Sequence, residues 1–198
     1  VDQVDVEAIH YGRMAVRKAL ARELRDDFLA IYSSYDHQQV YAATAEAIAR
    51  RSLKNVALSY LMLLNEDAII QSCEQQYQSA NNMTDVIAAL SQLVNSESPT
   101  AQKIATTALA DFYQRWQHES LVVNQWLSLQ AGCLLPNTLD RVKSLLNHPG
   151  YDGKNPNKIR ALIASFCNNA INFHANRGSG YQFLADNIIQ LNTQNPQI

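Results

Sequence analysis

Apolar residues recur along most of this chain at intervals of three and four positions, which is the spacing of one face of an α-helix. In the opening stretch VEAIHYGRMAVRKALARELRDDFLAIY, the predicted apolar face consists of Ile9, Met14, Leu20, Leu24, Phe28 and Ile31. In TAEAIARRSLKNVALSYLMLLN, the same spacing selects Ile48, Val56, Tyr60 and Leu64. No alternation of apolar and polar residues lasts long enough to indicate a strand. The pattern predicts about nine helices and an all-α fold.

Residues that start and stop helices lie between the periodic segments. Thr84 in NNMTDVIAALSQLVN is the predicted N-cap of its helix. Asn155 followed by Pro156 predicts a second helix start, because Asn caps free N–H groups and Pro suits the first helical position. Gly132 is a predicted helix stop after LVVNQWLSLQA. The polar stretch HPGYDGKNPN at 148–157 is predicted to be a long loop or a hinge.

Short connections between successive helices favour antiparallel helix pairs. The chain shows no repeat of fixed length, so a degenerate row of helix pairs is favoured over a regular repeat protein. We therefore expect a superhelical array of antiparallel helix pairs, of the HEAT or armadillo-like solenoid type, in a single α-helical domain over residues 1–198. Asn195 and Pro196 repeat the helix-start signal with no helix after it, so we expect an array truncated at its C-terminal end.

Composition and charge exclude several classes of function. The formal net charge is −2, and 17% of the residues are charged. Since no long basic run is present, we expect no nucleic-acid partner. The chain shows no N-terminal secretion signal and no apolar run of about 18 residues, so we expect no membrane partner and a cytoplasmic location. Cys73, Cys133 and Cys167 form no CxxC pair and are predicted to be structural thiols, buried or half-buried.

Sequence motifs of known catalytic chemistry are missing. No two of the five histidines are spaced as in the HExxH zinc helix, and neither GxSxG nor the phosphate-binding GxxxxGK motif occurs. We therefore predict no catalytic residue, no metal ligand and no cofactor in this segment. Cys167 and His174 lie near each other in sequence, but no orienting acid accompanies them. Ordinary packing is favoured over a nucleophilic pair.

Gly178 and Gly180 precede a helix and have two explanations. One explanation is an anion-binding site at the helix N-terminus. They also match a turn in which small residues pack closely and Ser179 caps the helix, and this second explanation is favoured.

Aromatic and acidic residues also invite functional explanations. Without a basic groove, the aromatic residues are expected in the core or along a groove rather than as a platform for nucleic-acid bases. They are Tyr113, Trp116 and Trp126. The chain also has two pairs of adjacent acidic residues, Asp26 with Asp27 and Glu66 with Asp67. Their side chains are expected to lie on solvated helix faces or at helix ends.

Several stretches resemble one protein family, in the same order along the chain. They are VDVEAIH with ALARELRDDFLAIY, ANNMTDVIAALSQLV, WLSLQA, NPNKIRALIASF and FHANRGSGYQFLADNIIQLNTQNPQ. The chain resembles the C-terminal helical domain of the bacterial aminopeptidase N family, which are zinc metalloaminopeptidases of the gluzincin type. The similarity runs from near Val1 to the end. Its motifs, such as NNMTD and GSGY-x-FL, are individually short but jointly specific.

The resemblance implies a function that the residues alone do not indicate. In the family, an HExxH helix and a later Glu hold the zinc, and a GxMEN segment binds the free N-terminus of the peptide. All of these lie in a catalytic domain that this chain lacks. The C-terminal domain is a superhelix that closes over the active site and walls the substrate cavity. The resemblance thus implies a noncatalytic domain of an enzyme that removes N-terminal amino acids from peptides. Zinc is then the cofactor of the full-length enzyme, and the implied partners are the remaining domains of the same polypeptide and peptide substrates. The alternative is a freestanding helical-repeat scaffold that binds a protein or peptide.

The resemblance also places one residue of this chain near the substrate. In the family, the glutamine of an NPQ motif and an arginine four residues later face the substrate cavity. Gln197 matches the glutamine, and the arginine position lies beyond Ile198. Asn176 and Arg177 stand where relatives commonly carry an acidic residue before GSGY, so a charge-based role of this loop has no support.

Overall fold

The structure is a computed structural model that describes residues 4–35, 40–175 and 178–194. Within these ranges every regular element is helical, and no strand occurs, which confirms the all-α prediction. The chain divides into two compact units. One is Ile9–Leu109, and the other combines Val1–Ala8 with Ala110–Ile198. No helix in the described ranges is long and apolar enough to cross a membrane.

The helices follow one another with mostly short connections. In chain order they are α1 (Val6–Glu23), α2 (Arg25–Ser33), α3 (Ala45–Leu61), α4 (Asp67–Ser79), α5 (Met83–Asn95), α6 (Pro99–Trp116), α7 (Ser120–Ala131), α8 (Thr138–Leu145), α9 (Pro156–Ile159), α10 (Ser165–Cys167), α11 (Ala170–Phe173) and α12 (Ser179–Gln194). A 3-10 turn, Met62–Leu64, follows α3, and a π-helical turn, Arg160–Ala164, joins α9 to α10.

The opening segment forms two helices instead of the single predicted one. Leu24 separates α1 from α2, with φ −106° and ψ 21°. The predicted apolar face is only partly covered, since Ile9 and Leu20 are 46% and 41% exposed. Phe28 packs within its unit, with its ring stacked on that of Tyr60 at 4.7 Å between centroids. The apolar spacing therefore predicted helical structure correctly, but neither the break at Leu24 nor the extent of burial.

In the Ile9–Leu109 unit, α3 packs against α2 and α5, and α5 packs against α4. The core contains large aliphatic side chains with no exposed surface: Leu58, Leu61, Ile70, Leu90 and Leu93. Burying one such side chain contributes about 1.5–3 kcal/mol to folding relative to leaving it exposed. These contacts hold together the elements that form the cavity described below.

The predicted buried face of α3 was wrong. Ile48 and Val56 are 51% and 49% exposed, whereas Lys54, Leu58 and Leu61 are buried. The prediction counted only apolar residues as core residues. The buried face instead includes a lysine, because a carboxylate on α5 pairs with that lysine inside the unit.

In the unit that contains Ala110–Ile198, α7 packs against α8, α9, α10 and the π-helical turn. Fully buried side chains of this core are Phe112, Leu127, Val142, Leu162 and Phe166. The Phe166 ring contacts the Phe173 and Phe183 rings edge to face, with centroids 6.1 and 5.4 Å away. Such aromatic pairs add about 0.5–1.5 kcal/mol beyond the area they bury.

Two predicted helix ends are confirmed and one was wrong. Asn155 caps α9 by accepting a hydrogen bond from the Asn157 N–H at 3.0 Å, with Pro156 at the first helical position. Gly132 directly follows α7. The cap of α5, however, is Asn82, whose side chain accepts from the Asp85 N–H at 3.0 Å. Thr84 lies inside the first turn, because α5 begins two residues earlier than predicted. The predicted loop at 148–157 is confirmed up to residue 155.

The predicted helix NPNKIRALIASFCNN changes its geometry midway. Residues Arg160–Ala164 form a π-helical turn. Two serine side chains accompany it. The Ser128 hydroxyl donates to the Ala161 carbonyl at 2.9 Å, and the Ser165 hydroxyl donates to the Ser128 oxygen at 3.2 Å. Since Ser128 belongs to α7, a side chain from another helix supplies the hydrogen bond to the Ala161 carbonyl of this turn.

Candidate functional site

Gln197, the predicted substrate-cavity residue, lies outside the described residues, as do Asn176 and Arg177. The role of Gln197 therefore stays a prediction. In the ranges that the structure describes, no three His, Cys, Asp or Glu side chains are grouped so that they could hold a metal ion. The resemblance places the zinc of the full-length enzyme in a domain that this chain lacks.

The cysteines occupy the predicted environments. Cys73 and Cys133 are buried, and Cys167 is half-buried. Burial raises the pKa of the Cys167 thiol, whereas a nucleophilic cysteine has a lowered pKa. His174 is engaged elsewhere, with its Nδ1 2.5 Å from the Tyr181 hydroxyl oxygen. These observations support the packing interpretation of Cys167 and His174.

The two glycines at the start of α12 have structural roles, Gly178 just before the helix and Gly180 in its first turn. Gly178 has φ +92°, a backbone conformation that side chains disfavour. A Cβ atom on Gly180 would lie 2.2 Å from the carbonyl oxygen of Phe173. The close-packing interpretation is therefore confirmed. The predicted cap was wrong, because the Ser179 hydroxyl is buried and has no hydrogen-bond partner among the described residues.

The predicted core position of the aromatic residues is confirmed for Trp126, which is 4% exposed. Its ring lies 5.0 Å from that of Tyr113 and 4.9 Å from that of His148, measured between centroids. The His148 Nδ1 accepts a hydrogen bond from the Gly150 N–H at 3.0 Å. Burial lowers the pKa of His148. This cluster holds the loop after α8 and presents no open ring face of Trp126 for stacking.

The acid pairs lie at helix starts, but one member does more than predicted. Asp26 and Asp27 occupy the first turn of α2, where negative charge is favourable. Glu66, which precedes α4, binds Arg25 through two hydrogen bonds of 2.6 and 2.8 Å. The Arg25 guanidinium lowers the pKa of Glu66. Sequence reasoning missed this pair, because the two residues are 41 positions apart.

A cavity of about 350 Å³ lies in the Ile9–Leu109 unit. Its walls come from the end of α2, the segment before α3, the first half of α3 and the start of α5. The lining residues are Tyr35, Val40, Tyr41, Ala42, Thr44, Glu46, Ala47, Arg50, Arg51, Lys54, Ala80, Asn81, Asn82 and Asp85.

A buried ion pair forms part of this cavity wall. The Lys54 ammonium lies 2.5 Å from the Asp85 carboxylate, and the two side chains are 6% and 7% exposed. Asn55 and Asn82 also donate to this carboxylate, at 2.8 and 3.1 Å. Burial by itself raises the pKa of Asp85, but the hydrogen bonds from Lys54, Asn55 and Asn82 bring it below its usual value. Lys54 and Asp85 therefore contribute no net charge to the cavity.

Two arginines in the middle of α3 supply positive charge to the same cavity. The Arg51 guanidinium lies 5.0 Å from the centre of the Tyr41 ring and donates to the Ala42 carbonyl at 2.9 Å. Arg50 is exposed and makes no hydrogen bond or ion pair with any residue that the structure describes. The adjacent arginines are visible in the sequence, but only the fold shows that both line a cavity.

Comparison with known proteins places the chain in a family. The family model described as "Domain of unknown function (DUF3458_C) ARM repeats" matches residues 1–198. Aminopeptidase N of Haemophilus influenzae is 38% identical over 98% of this chain, and aminopeptidase N of Escherichia coli is 37% identical over 100% of it. The chain spans 22% of the length of each of these relatives.

A solved structure agrees with this placement. The crystal structure of Legionella pneumophila aminopeptidase A in complex with aspartic acid matches with a TM-score of 0.86 and 33% sequence identity. The match covers 98% of this chain and 23% of that chain. The chain therefore belongs to the DUF3458_C family of ARM-repeat domains, and the predicted resemblance to the C-terminal helical domain of bacterial aminopeptidase N is confirmed.

Proposed function

We propose that this chain is the noncatalytic C-terminal helical domain of a zinc aminopeptidase that removes N-terminal amino acids from peptides. The observation that carries the proposal is the 37–38% identity to two aminopeptidases N over nearly the whole chain, which spans only 22% of their length. In this proposal the other domains of the same polypeptide bind the zinc and carry out the chemistry. The partners are those domains and the peptide substrates, and the location is cytoplasmic.

The proposed role of the domain is to close over the active site and to wall the cavity that peptides enter. Such a role depends on shape, so successive helices must hold their relative positions within each unit. Two ion pairs in the Ile9–Leu109 unit support this: Arg25–Glu66 joins the start of α2 to the start of α4, and Lys54–Asp85 joins α3 to α5. A wall of this kind keeps folded proteins out and excludes bulk water from the reaction.

The proposal is tested by comparing the intact polypeptide with the isolated chain. The intact polypeptide should contain zinc and hydrolyse an aminoacyl reporter in a chelator-sensitive way. The isolated chain should do neither, because a catalytic zinc needs three protein ligands in fixed geometry. An intact polypeptide without aminopeptidase activity would favour the freestanding scaffold, and cleavage by the pure isolated chain would contradict the noncatalytic role.

The proposed contact of Gln197 with substrate is tested by Gln197→Ala in the intact enzyme. A lost polar contact costs about 0.5–1.5 kcal/mol, so kcat/KM on a tripeptide should fall several-fold while the melting temperature stays unchanged. Gln190→Ala, an exposed change on α12, is the matched control and should leave both values unchanged. Unchanged kinetics for Gln197→Ala, on both the tripeptide and an aminoacyl reporter, would assign Gln197 to the ordinary surface.

A further inference from the structure

The described residues that line the cavity in the Ile9–Leu109 unit carry unbalanced positive charge. Of their charged side chains, Lys54 and Asp85 neutralise each other. The remaining ones among these described residues are the guanidinium groups of Arg50 and Arg51 and the carboxylate of Glu46. Glu46 makes no ion pair with any described residue. The described part of the cavity lining thus has one more guanidinium than it has carboxylates to match.

Both guanidinium groups keep donors available to a ligand. A guanidinium has five N–H donors in a planar fork that matches a carboxylate. Arg51 uses one nitrogen on the Ala42 carbonyl and is oriented by the Tyr41 ring, so its position is set while other donors remain free. Arg50 has no described partner for any of its donors.

Two helix starts also face the cavity. Thr44 and Asn82 are the N-caps of α3 and α5, and both line it. The positive ends of two helix dipoles therefore add to the charge of the arginines and favour an anion. The volume of about 350 Å³ lies near the lower limit of small-molecule pockets, which run from about 300 to 1,000 Å³. A small molecule fits this volume better than an extended peptide.

We propose that this cavity binds a small organic anion with two carboxylate groups, one held by Arg50 and the other by Arg51. Each guanidinium forms paired, charge-assisted hydrogen bonds to one carboxylate. The Tyr35 and Tyr41 side chains, which also line the cavity, supply apolar surface for the carbon chain between the carboxylates. Glu46 repels the anion and sets an upper limit on its affinity.

The test is calorimetric titration of succinate into the intact polypeptide, with the uncharged diamide of succinate as the control ligand. Succinate should bind saturably and more weakly at higher ionic strength, and the diamide should not bind. Arg50→Gln should weaken succinate binding about tenfold or more, since a hydrogen-bonded charge contact is lost. Arg13→Gln, a change at an exposed arginine of α1 outside the cavity, should leave the affinity unchanged.

A second variant separates a binding role from a structural one. Glu46→Gln removes the opposing carboxylate and should tighten succinate binding, which damage to the fold would not do. Absence of saturable binding to the unmodified protein, or equal affinity in Arg50→Gln, would overturn the proposal. Tighter binding of inorganic phosphate than of succinate would overturn the assignment of a dicarboxylate. These measurements do not use peptidase activity, so they succeed or fail independently of the proposed function.

Discussion

Lys54 and Asp85 form the most deeply buried ion pair among the described residues, with side chains 6% and 7% exposed. Asp85→Asn keeps the shape of the side chain but leaves the Lys54 charge buried without a counter-ion. Breaking a buried pair in this way costs about 3–5 kcal/mol of unfolding free energy. We expect a correspondingly lower midpoint of urea unfolding, followed by circular dichroism.

Asp111→Asn is the matched control for this change. Asp111 pairs with Arg115 one helical turn away on α6, where the two side chains are 44% and 46% exposed. Exposed pairs of this kind contribute less than about 1 kcal/mol. Equal losses of stability in Asp85→Asn and Asp111→Asn would contradict the importance assigned to burial.

His148 should make stability depend on pH. Burial lowers its pKa in the folded chain, and its Nδ1 accepts a hydrogen bond from Gly150 N–H that a proton on Nδ1 would abolish. The unfolded chain binds the proton first, so this contribution is present above about pH 6.5 and is lost as the pH falls through the lowered folded pKa. His148→Gln should lose less stability than the unmodified chain between about pH 7 and 5.5. Chemical unfolding at several pH values in this range measures the free energy of unfolding. His118→Gln, a change at an exposed site, should leave the dependence of this free energy on pH unchanged.

At the scale of elements, two glycines in helices should respond to alanine in opposite ways. A Cβ on Gly180, in the first turn of α12, would meet the backbone oxygen of Phe173 at 2.2 Å. Gly180→Ala should therefore cost about 1–3 kcal/mol, because backbone must shift. Gly12 lies inside α1 with nothing within 4 Å of the added atom, so Gly12→Ala should gain about 0.5–1 kcal/mol through helix propensity. Melting temperatures of the two variants would test this, and a loss in both would show that Gly12 has a contact that this structure does not contain.

Helix α3 shows how an element can be predicted correctly while its orientation is not. Apolar residues at helical spacing predict the helix itself. In the structure the Thr44 side chain caps it by accepting a hydrogen bond from the Ala47 N–H at 3.2 Å. The side that faces inward depends on Asp85, which lies 31 positions later. A lysine is expected outside unless it is paired, so no local rule places Lys54 in the core.

At the scale of the whole molecule, the isolated chain should fold. Each of the two compact units has its own fully buried apolar side chains, such as Leu58 and Leu90 in one and Phe112 and Leu162 in the other. In repeat arrays each element contacts mainly its neighbours, so the rest of a larger protein is not needed for these contacts. We expect a strongly helical circular dichroism spectrum that is lost cooperatively on heating. A spectrum typical of a disordered chain would show that contacts outside this segment are required.

The sequence by itself determined the all-α fold, the helix ends at Asn155 and Gly132, and the family. Helical hydrogen bonds and caps join residues three or four positions apart, so the Asn155–Pro156 start and the Gly132 stop are local signals. The tertiary structure alone decided which face of α3 is buried, that Glu66 binds Arg25, that a π-helical turn follows α9 and that two arginines share a cavity. Each of these depends on atoms brought together from distant positions, such as Ser128 reaching the Ala161 carbonyl 33 residues away. Burial and pairing are properties of the packed chain, because burying a polar group costs free energy unless a partner, as Asp85 is for Lys54, compensates the loss of water.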